Sequence, residues 1–433
     1  MQSTLETLGQ LERRLNMAVP TAEIERQVGE RLKRLARTVR MAGFRPGKVP
    51  LKLVAQQYGP QVQSEVIGDA VEQAFSSAVR DQNLRVAGSP RIERREAAAE
   101  GQLEFSATFE VYPEVVPGDL ASVTIERPTL AVGEAEVERT LQVLRKQRTK
   151  YEAAPRPAAA GDRVTIDFTG TIDGAEFPGG RGTDFAFVLG EGRMLPDLEA
   201  GLTGLRAGDE KSIPVLFPPD YRPSEFAGKS ASFAVTMKRV EAPRLPEVDA
   251  EFAKALGVAD GDLGKMRAEI TANVEREVKK RLGAELKAKV MQVLLDTTKV
   301  DLPKALIGLE IERLLAAARA DLQSKGVKLD QVPIDPALFE EQAKRRVALG
   351  LILAELVKRN DLGARPEQVR QLVTEHAESY EQPTEVVKWF YSQPDRLAQF
   401  EGLVLEENVI EWVLRQARVA DRAVPFEQLM GTS

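Results

Sequence analysis

The sequence predicts a multidomain α+β protein, and three observations carry that prediction. Its 433 residues are enough chain for about three domains. The first hundred residues mix strand-period and helix-period apolar patterns, and the middle concentrates glycine and aromatic residues on short alternating runs. From about Pro246 onward almost everything reads as helix.

Leu11, Leu15, Met17 and Val19 fall on alternate positions up to Pro20, which predicts a strand. A helix follows, with Thr21 as its expected cap, Glu23 and Glu25 at its positive end, and Ile24, Val28, Leu32, Leu35 and Val39 on one face. Residues 51–58 and 62–84 predict two further helices, and Leu103, Phe105, Ala107, Phe109 and Val111 alternate strictly as a strand. Between residues 113 and 160 the pattern gives one strand (Val123 to Arg127) and one charged helix (Glu134 to Tyr151). Ala153 to Gly161, with Pro155, Pro157 and three consecutive alanines, reads as a spacer. Strand periods return in Val164-Ile166-Phe168, Phe185-Phe187-Leu189 and Phe233-Val235-Met237, which predicts a small antiparallel β domain. Beyond it Pro303, Pro336, Pro366, Pro383 and Pro394 mark helix starts, where a missing N–H costs nothing. Met266, Ile270, Val274, Val278 and Leu282 outline the first of these long helices, and the region is expected to be all-α.

Composition excludes much chemistry. With no cysteine and one histidine, the chain has no disulfides, no thiolate nucleophile and no centre that needs two imidazoles. No metal and no cofactor is expected. Gly228-Lys229-Ser230 lacks the P-loop glycine, because Pro223 stands five residues earlier, and Gly190 and Gly192 lack the third glycine of a dinucleotide loop, where Leu195 stands. The first twenty residues carry no apolar signal core, and no run of eighteen apolar residues exists, so a cytoplasmic protein without a membrane partner is the expectation. His376, among Glu375, Glu378 and Glu381, is expected as a surface group. Asp167 and the turn pair Asp173-Gly174 are expected to be structural.

Between Arg26 and Lys48 stand eight basic residues (Arg26, Arg31, Lys33, Arg34, Arg37, Arg40, Arg45, Lys48) and one acid, Glu30, in a chain whose net charge is -6. Such asymmetry points to a polyanionic partner. The loop Gly43-Phe44-Arg45-Pro46-Gly47-Lys48-Val49-Pro50 holds an aromatic ring between cations on a tight turn built for docking. A basic amphipathic helix followed by this G-F-R-x-G-K-x-P segment resembles the ribosome-binding signature of the bacterial trigger factor family. The resemblance implies that Phe44, Arg45 and Lys48, within Gly43, Phe44, Arg45, Pro46, Gly47 and Lys48, touch a ribosomal protein and adjacent ribosomal RNA at the exit tunnel.

The run Gly161-Asp162-Arg163-Val164-Thr165-Ile166-Asp167-Phe168-Thr169-Gly170, then Asp173-Gly174 and Phe177, resembles the first hairpin of FKBP-type prolyl isomerases. Leu189-Gly190, Gly192 to Pro196, Phe217-Pro218, Tyr221 and Phe233 continue the likeness. It implies an antiparallel β half-barrel with a short helix, and an active pocket formed by Phe168, Phe177, Phe185, Met194, Leu195, Tyr221 and Phe233. Pro178 and Leu198 depart from the pattern of many relatives, which implies a shallower pocket with weak affinity for macrolide inhibitors. Isomerisation needs no base: the X-Pro barrier is lost resonance, and an apolar, water-free cavity favours the less polar twisted amide.

The expected function is an ATP-independent chaperone that docks at the ribosome, shields nascent and unfolded polypeptides and isomerises X-Pro bonds. The expected domains are 1–112 for ribosome binding, 113–149 as a linker, 150–246 as the isomerase and 247–433 as a helical chaperone domain. Packing of the linker with the C-terminal domain, and a homodimer off the ribosome, are implied by the resemblance. Met291, Leu314, Leu351 and Phe390 are candidate client contacts. A stand-alone isomerase with helices for dimerisation, and an RNA-binding protein with a vestigial isomerase, are the alternatives; DNA is not an expected partner.

Overall fold

The computed structural model describes residues 3–431 apart from 43, 45, 46, 96–100, 328–333 and 379. In chain order it contains β1 (Ser3–Thr7), β2 (Glu12–Pro20), α1 (Thr21–Thr38), α2 (Leu51–Asp81), β3 (Val86–Arg94) and β4 (Gln102–Val111). Then come β5 (Thr124–Thr129), α3 (Glu134–Gln147), β6 (Lys150–Ala153), β7 (Arg163–Ile172), β8 (Ala175–Val188), α4 (Pro196–Leu202), β9 (Glu210–Leu216) and β10 (Ser230–Arg244). The remainder is α5 (Ala250–Ala255), α6 (Leu263–Thr297), α7 (Lys304–Ser324), α8 (Glu340–Asn360), α9 (Pro366–Ala377), α10 (Pro383–Tyr391), α11 (Pro394–Gln416), β11 (Arg418–Ala423) and α12 (Phe426–Met430).

The chain divides into two compact units, one of residues 1–128 and 284–422, the other of 129–283 and 423–433. In the first, β1, β2, β4 and β3 lie in that order as an antiparallel sheet. Its register sets Leu15 opposite Ala107 and Met17 opposite Phe105, so strand alternation sends one apolar face toward Ile24 and Leu32 of α1 and Val54, Val62 and Val66 of α2. Thr21 does not cap α1. It is the first helical residue, Pro20 takes the cap position, and no side chain closes the end. The two helices expected over 51–84 are one, continuous through Pro60, because seven buried residues on α2 outweigh the single hydrogen bond that proline removes. A separate core joins Val115, Leu120 and Ile125 to Val290, Leu294, Ile352, Leu356, Val409 and Val413. The C-terminal region is not purely helical, since β11 pairs with β5.

In the second unit, β8, β7 and β10 are consecutive antiparallel strands, and the long β10 pairs along its far edge first with β9 and then with β6. The expected helix to Tyr151 stops at Gln147; Tyr151 enters β6 opposite Pro243, with the Arg163 guanidinium 4.7 Å over its ring. The expected spacer 153–161 is not loose chain. Ala158 is buried and exchanges backbone hydrogen bonds with Leu205 and Gly204, while the buried Asp162 takes both nitrogens of Arg156 at 2.7 and 2.8 Å. A second core in this unit gathers Val137 and Leu141 of α3 with Phe252, Met266, Ile270, Val274, Val278 and Phe426.

Candidate functional site: an aromatic pocket and a docking loop

The candidate site begins at a two-residue turn. Asp173 and Gly174 have φ of +53° and +84°, the left-handed pair that joins β7 to β8 with matching twist. Across this hairpin a bulge sets Ile166 opposite Phe185 but Phe168 opposite Gly182. Asp167 pins the bulge: its carboxylate accepts the Asp184 N–H at 2.7 Å and pairs with Lys238 at 3.1 Å, and Lys238 also holds Asp184 at 2.9 Å. The Asp184 amide, then Lys238, lowers the Asp167 pKa from the usual aspartate range. Asp167 is thus structural, and the bulge it fixes sets the register that leaves Phe185 beside Phe168.

The rings form a connected row. Phe185 and Phe168 meet edge to face at 5.8 Å, Phe168 and Phe233 lie 6.1 Å apart, and Phe233 and Phe177 stand at 6.1 Å. Phe177 continues to Phe226 at 5.1 Å and Phe217 at 5.9 Å, and Tyr221 closes the row 4.7 Å from Phe217. Met194 and Leu195 are half-buried against the same core, and Glu199 holds their turn by accepting the amides of Gly190 and Met194. Six of the seven residues expected at the pocket belong to one core or pack against it, with Phe233 buried, and Phe185, 41% accessible, meets that core through its ring contacts with Phe168 and Phe187. Leu198 is buried in that core and Pro178 is exposed.

Two ring members, Phe217 and Phe226, carry no pocket role in the sequence reading. Phe217-Pro218 was visible as a landmark, whereas Phe226 lies in an irregular segment with no period to reveal it. Glycines make the row possible. A Cβ on Gly170 would lie 2.7 Å from Phe233 Cε1 and 3.0 Å from Phe177 Cε1, and one on Gly182 would lie 2.5 Å from Phe168 Cε1. The rings lie directly on bare backbone, and an apolar surface with a single hydroxyl, that of Tyr221, is what a twisted amide prefers over water.

The docking loop is partly described; Gly43, Arg45 and Pro46 lie outside the described residues. Phe44 is 39% accessible, Gly47 and Lys48 are exposed, and Val49 is buried in the domain core. The basic run is not uniformly free. Arg26 pairs with Glu23 and Glu30, holding Glu23 down to about 2, and Arg31 pairs with Glu65 and Asp69. Lys33, Arg34, Arg37, Arg40 and Lys48 have no carboxylate partner among the described residues.

Of the candidate client contacts, Met291, Leu314 and Phe390 are buried and so hold the helices together. Leu351 is half-buried and lines a groove of about 490 Å³ with Leu306, Leu309, Val347 and Tyr112. A second apolar groove, about 760 Å³, runs along Tyr380, Val386, Trp389 and Phe390, with Trp389 53% accessible. The exposed His376 edges toward Phe390 and Phe400, and no metal-holding cluster of His, Cys, Asp or Glu exists among the described residues. No helix of the described residues is long and apolar enough to cross a membrane.

Fold and aromatic row together define a multidomain protein that carries an isomerase of the FKBP class. Comparison with known proteins agrees: residues 154–238 match the family described as FKBP-type peptidyl-prolyl cis-trans isomerase. Residues 1–144 match the bacterial trigger factor protein family, and residues 262–415 match its C-terminal family. Trigger factor of Aromatoleum aromaticum is 55% identical over 433 residues, covering 100% of both chains, and that of Azoarcus sp. (strain BH72) is 55% identical over 436 residues with the same coverage. A solved structure of the trigger factor chaperone, studied for promiscuous substrate recognition in folding and assembly, aligns over 96% of this chain and 99% of its own at TM-score 0.50 and 16% identity, a likeness of fold. The chain belongs to the bacterial trigger factor family. It is a chaperone with an FKBP-type peptidyl-prolyl isomerase domain. A stand-alone isomerase with helices for dimerisation does not fit, because the family matches extend over both flanking regions.

Proposed function

We infer that residues 1–112 dock the chaperone on the ribosome at the exit tunnel, through a ribosomal protein and adjacent RNA. Phe44, Arg45 and Lys48 are the contacts, within the segment Gly43, Phe44, Arg45, Pro46, Gly47 and Lys48. The observation that carries this reading is the exposed ring of Phe44 in a loop whose Lys48 is also exposed and whose Val49 is anchored in the core. An unburied ring next to desolvatable charge is a docking feature rather than a folding one.

The isomerase pocket acts through Phe168, Phe177, Phe185, Met194, Leu195, Tyr221 and Phe233. Residues 113–149 serve as a linker, 150–246 as the isomerase module and 247–433 as the chaperone body. Unfolded and nascent chains lie along the apolar grooves at Leu309–Leu351 and Tyr380–Trp389, in the cytoplasm, and free molecules pair as homodimers. Recognition of many substrates by the solved relative supports shallow, open grooves over a closed cavity.

Co-sedimentation with ribosomes tests the docking assignment. Replacing Phe44 and Lys48 by alanine abolishes sedimentation and leaves isomerisation of a short proline peptide intact. Retained binding in that variant removes the assignment.

A further inference from the structure

A groove of about 750 Å³ lies between α1 and α2, apart from the docking loop's own contacts. Arg31, Arg34, Leu35, Arg37 and Thr38 line it from α1, and Tyr58, Gln61, Val62 and Glu65 from α2. The charges within it are not equivalent. Arg31 bridges to Glu65 at 3.1 Å and Asp69 at 2.7 Å, which neutralises Glu65, the one acid that lines the groove. Arg34 and Arg37, three residues apart on one helical face, are exposed and have no acid partner among the described residues. Opposite them the half-buried Tyr58 ring and Val62 supply an apolar wall, and Gln61, whose Nε2 donates to Glu65 at 3.1 Å, adds an amide oxygen that accepts.

We propose that this groove binds an unpaired ribonucleotide of RNA, with the phosphate in the forks of Arg34 and Arg37 and the base against Tyr58. Guanidinium forks match phosphate oxygens two at a time, aromatic faces stack exposed bases, and an amide reads a base edge. An acidic peptide satisfies the arginines but leaves the ring and the amide without a role. The volume suits a nucleotide, since small-ligand sites span about 300–1,000 Å³. The groove also adjoins the loop: Gly47 has φ of +80°, and a Cβ there would lie 3.5 Å from the Arg37 carbonyl oxygen, so Gly47 lies against the last turn of α1. The inference deepens the ribosome-docking reading and rests on it for the source of the RNA, but the site itself is separate from Phe44.

The test uses the full chain and two probes, ribosomes and a single-stranded RNA oligonucleotide. Arg34→Gln with Arg37→Gln lowers the steepness of log affinity against log salt by about 1.4 for both probes, at about 0.7 per lost contact on a single strand. Tyr58→Leu weakens oligonucleotide binding without changing that steepness. Phe44→Ala abolishes ribosome binding but not oligonucleotide binding, which separates failure of the docking reading from failure of this one. A benzophenone side chain in place of Gln61 crosslinks to ribosomal RNA on the ribosome. Unchanged salt dependence in the double variant with its thermal stability intact, or a crosslink to ribosomal protein instead of RNA, overturns the proposal.

Discussion

The Glu110 carboxylate on β4 accepts the backbone N–H of Ala305, the second residue of α7, at 2.7 Å. A strand residue thereby closes the first turn of a helix 195 positions later in the chain, where no local side chain caps it. Next to it Gly88 of β3 has φ of +77°, and a Cβ there would lie 2.6 Å from the Ala305 Cβ. Glu110→Ala is expected to cost about 1 kcal/mol, the usual worth of a cap, and to accelerate amide hydrogen exchange across residues 305–308 severalfold. Gly88→Ala costs more, because it adds both a strained backbone and a clash.

The bare backbone beneath the rings gives a sharp test of the pocket. Gly170→Ala and Gly182→Ala each drive a methyl into a phenylalanine ring and are expected to destabilise the isomerase module by about 1–3 kcal/mol. Isomerisation of a proline peptide falls about tenfold or more in the folded variants, a change worth about 1.4 kcal/mol in the barrier. Gly174→Asn, at a turn position that tolerates the left-handed region, changes activity little. Denaturation midpoints measured with the peptide assay separate the two effects.

The charges behind the bulge predict a pH profile. Asp167 is lowered by the Asp184 amide and then Lys238, and Lys238 is raised by Asp184 and then Asp167. A lowered aspartate contributes fully above its unfolded value of about 3.9 and loses that contribution as pH falls through its lower folded value. A raised lysine contributes fully below about 10.4 and loses its share as pH rises through its higher folded value. The difference in urea midpoint between the unaltered protein and Lys238→Met is therefore expected to be flat between about pH 4 and 10 and to shrink on either side. The same variant lets Phe185 move, which a fluorine label on that ring would register.

Arg156 and Asp162 tie the segment after β6 onto the isomerase core. Asp162 is 1% accessible, and among the described residues its carboxylate retains only the Ala159 N–H, at 2.9 Å, once the guanidinium is gone. Arg156→Ala is expected to cost about 1–3 kcal/mol, the penalty for leaving a buried acceptor short of a partner. Arg156→Ala with Asp162→Asn recovers part of that loss, since the amide has no charge to desolvate. Thermal unfolding of the four members of this cycle reads the coupling.

Much of the architecture was legible where a pattern is local. Alternation in 103–111 and in 164–168 marked strands, and proline marked the starts of helices at 366, 383 and 394. Errors came where distant packing overruled local preference. Pro60 broke the expected helix on paper, yet the buried face of α2 holds it continuous; Thr21 looked like a cap, yet the strand runs into the helix through Pro20. The segment 153–161 has the composition of a spacer, but Ala158 fits a core that only the folded sheet creates, and Arg156 is held by the buried Asp162 just beyond it. For the pocket, the seven residues came from a likeness of motif, while Phe226 had no signal because a loop residue's direction follows from the fold around it.

What the sequence determined by itself is chemical identity: no thiol, one imidazole, a cluster of cations around Phe44 in the chain, and aromatics spaced with glycines in the middle third. These fix which reactions are open to the protein, because a reaction needs a functional group that the chain carries, whatever the fold then does to its reactivity. The tertiary structure decided which of those groups are free to act. Arg31 is spent on Glu65 and Asp69 while Arg34 and Arg37 are not, Phe390 is buried while Trp389 is open, and Gly170 lies under a ring. Availability depends on neighbours far apart in the chain, and only packing brings those neighbours together.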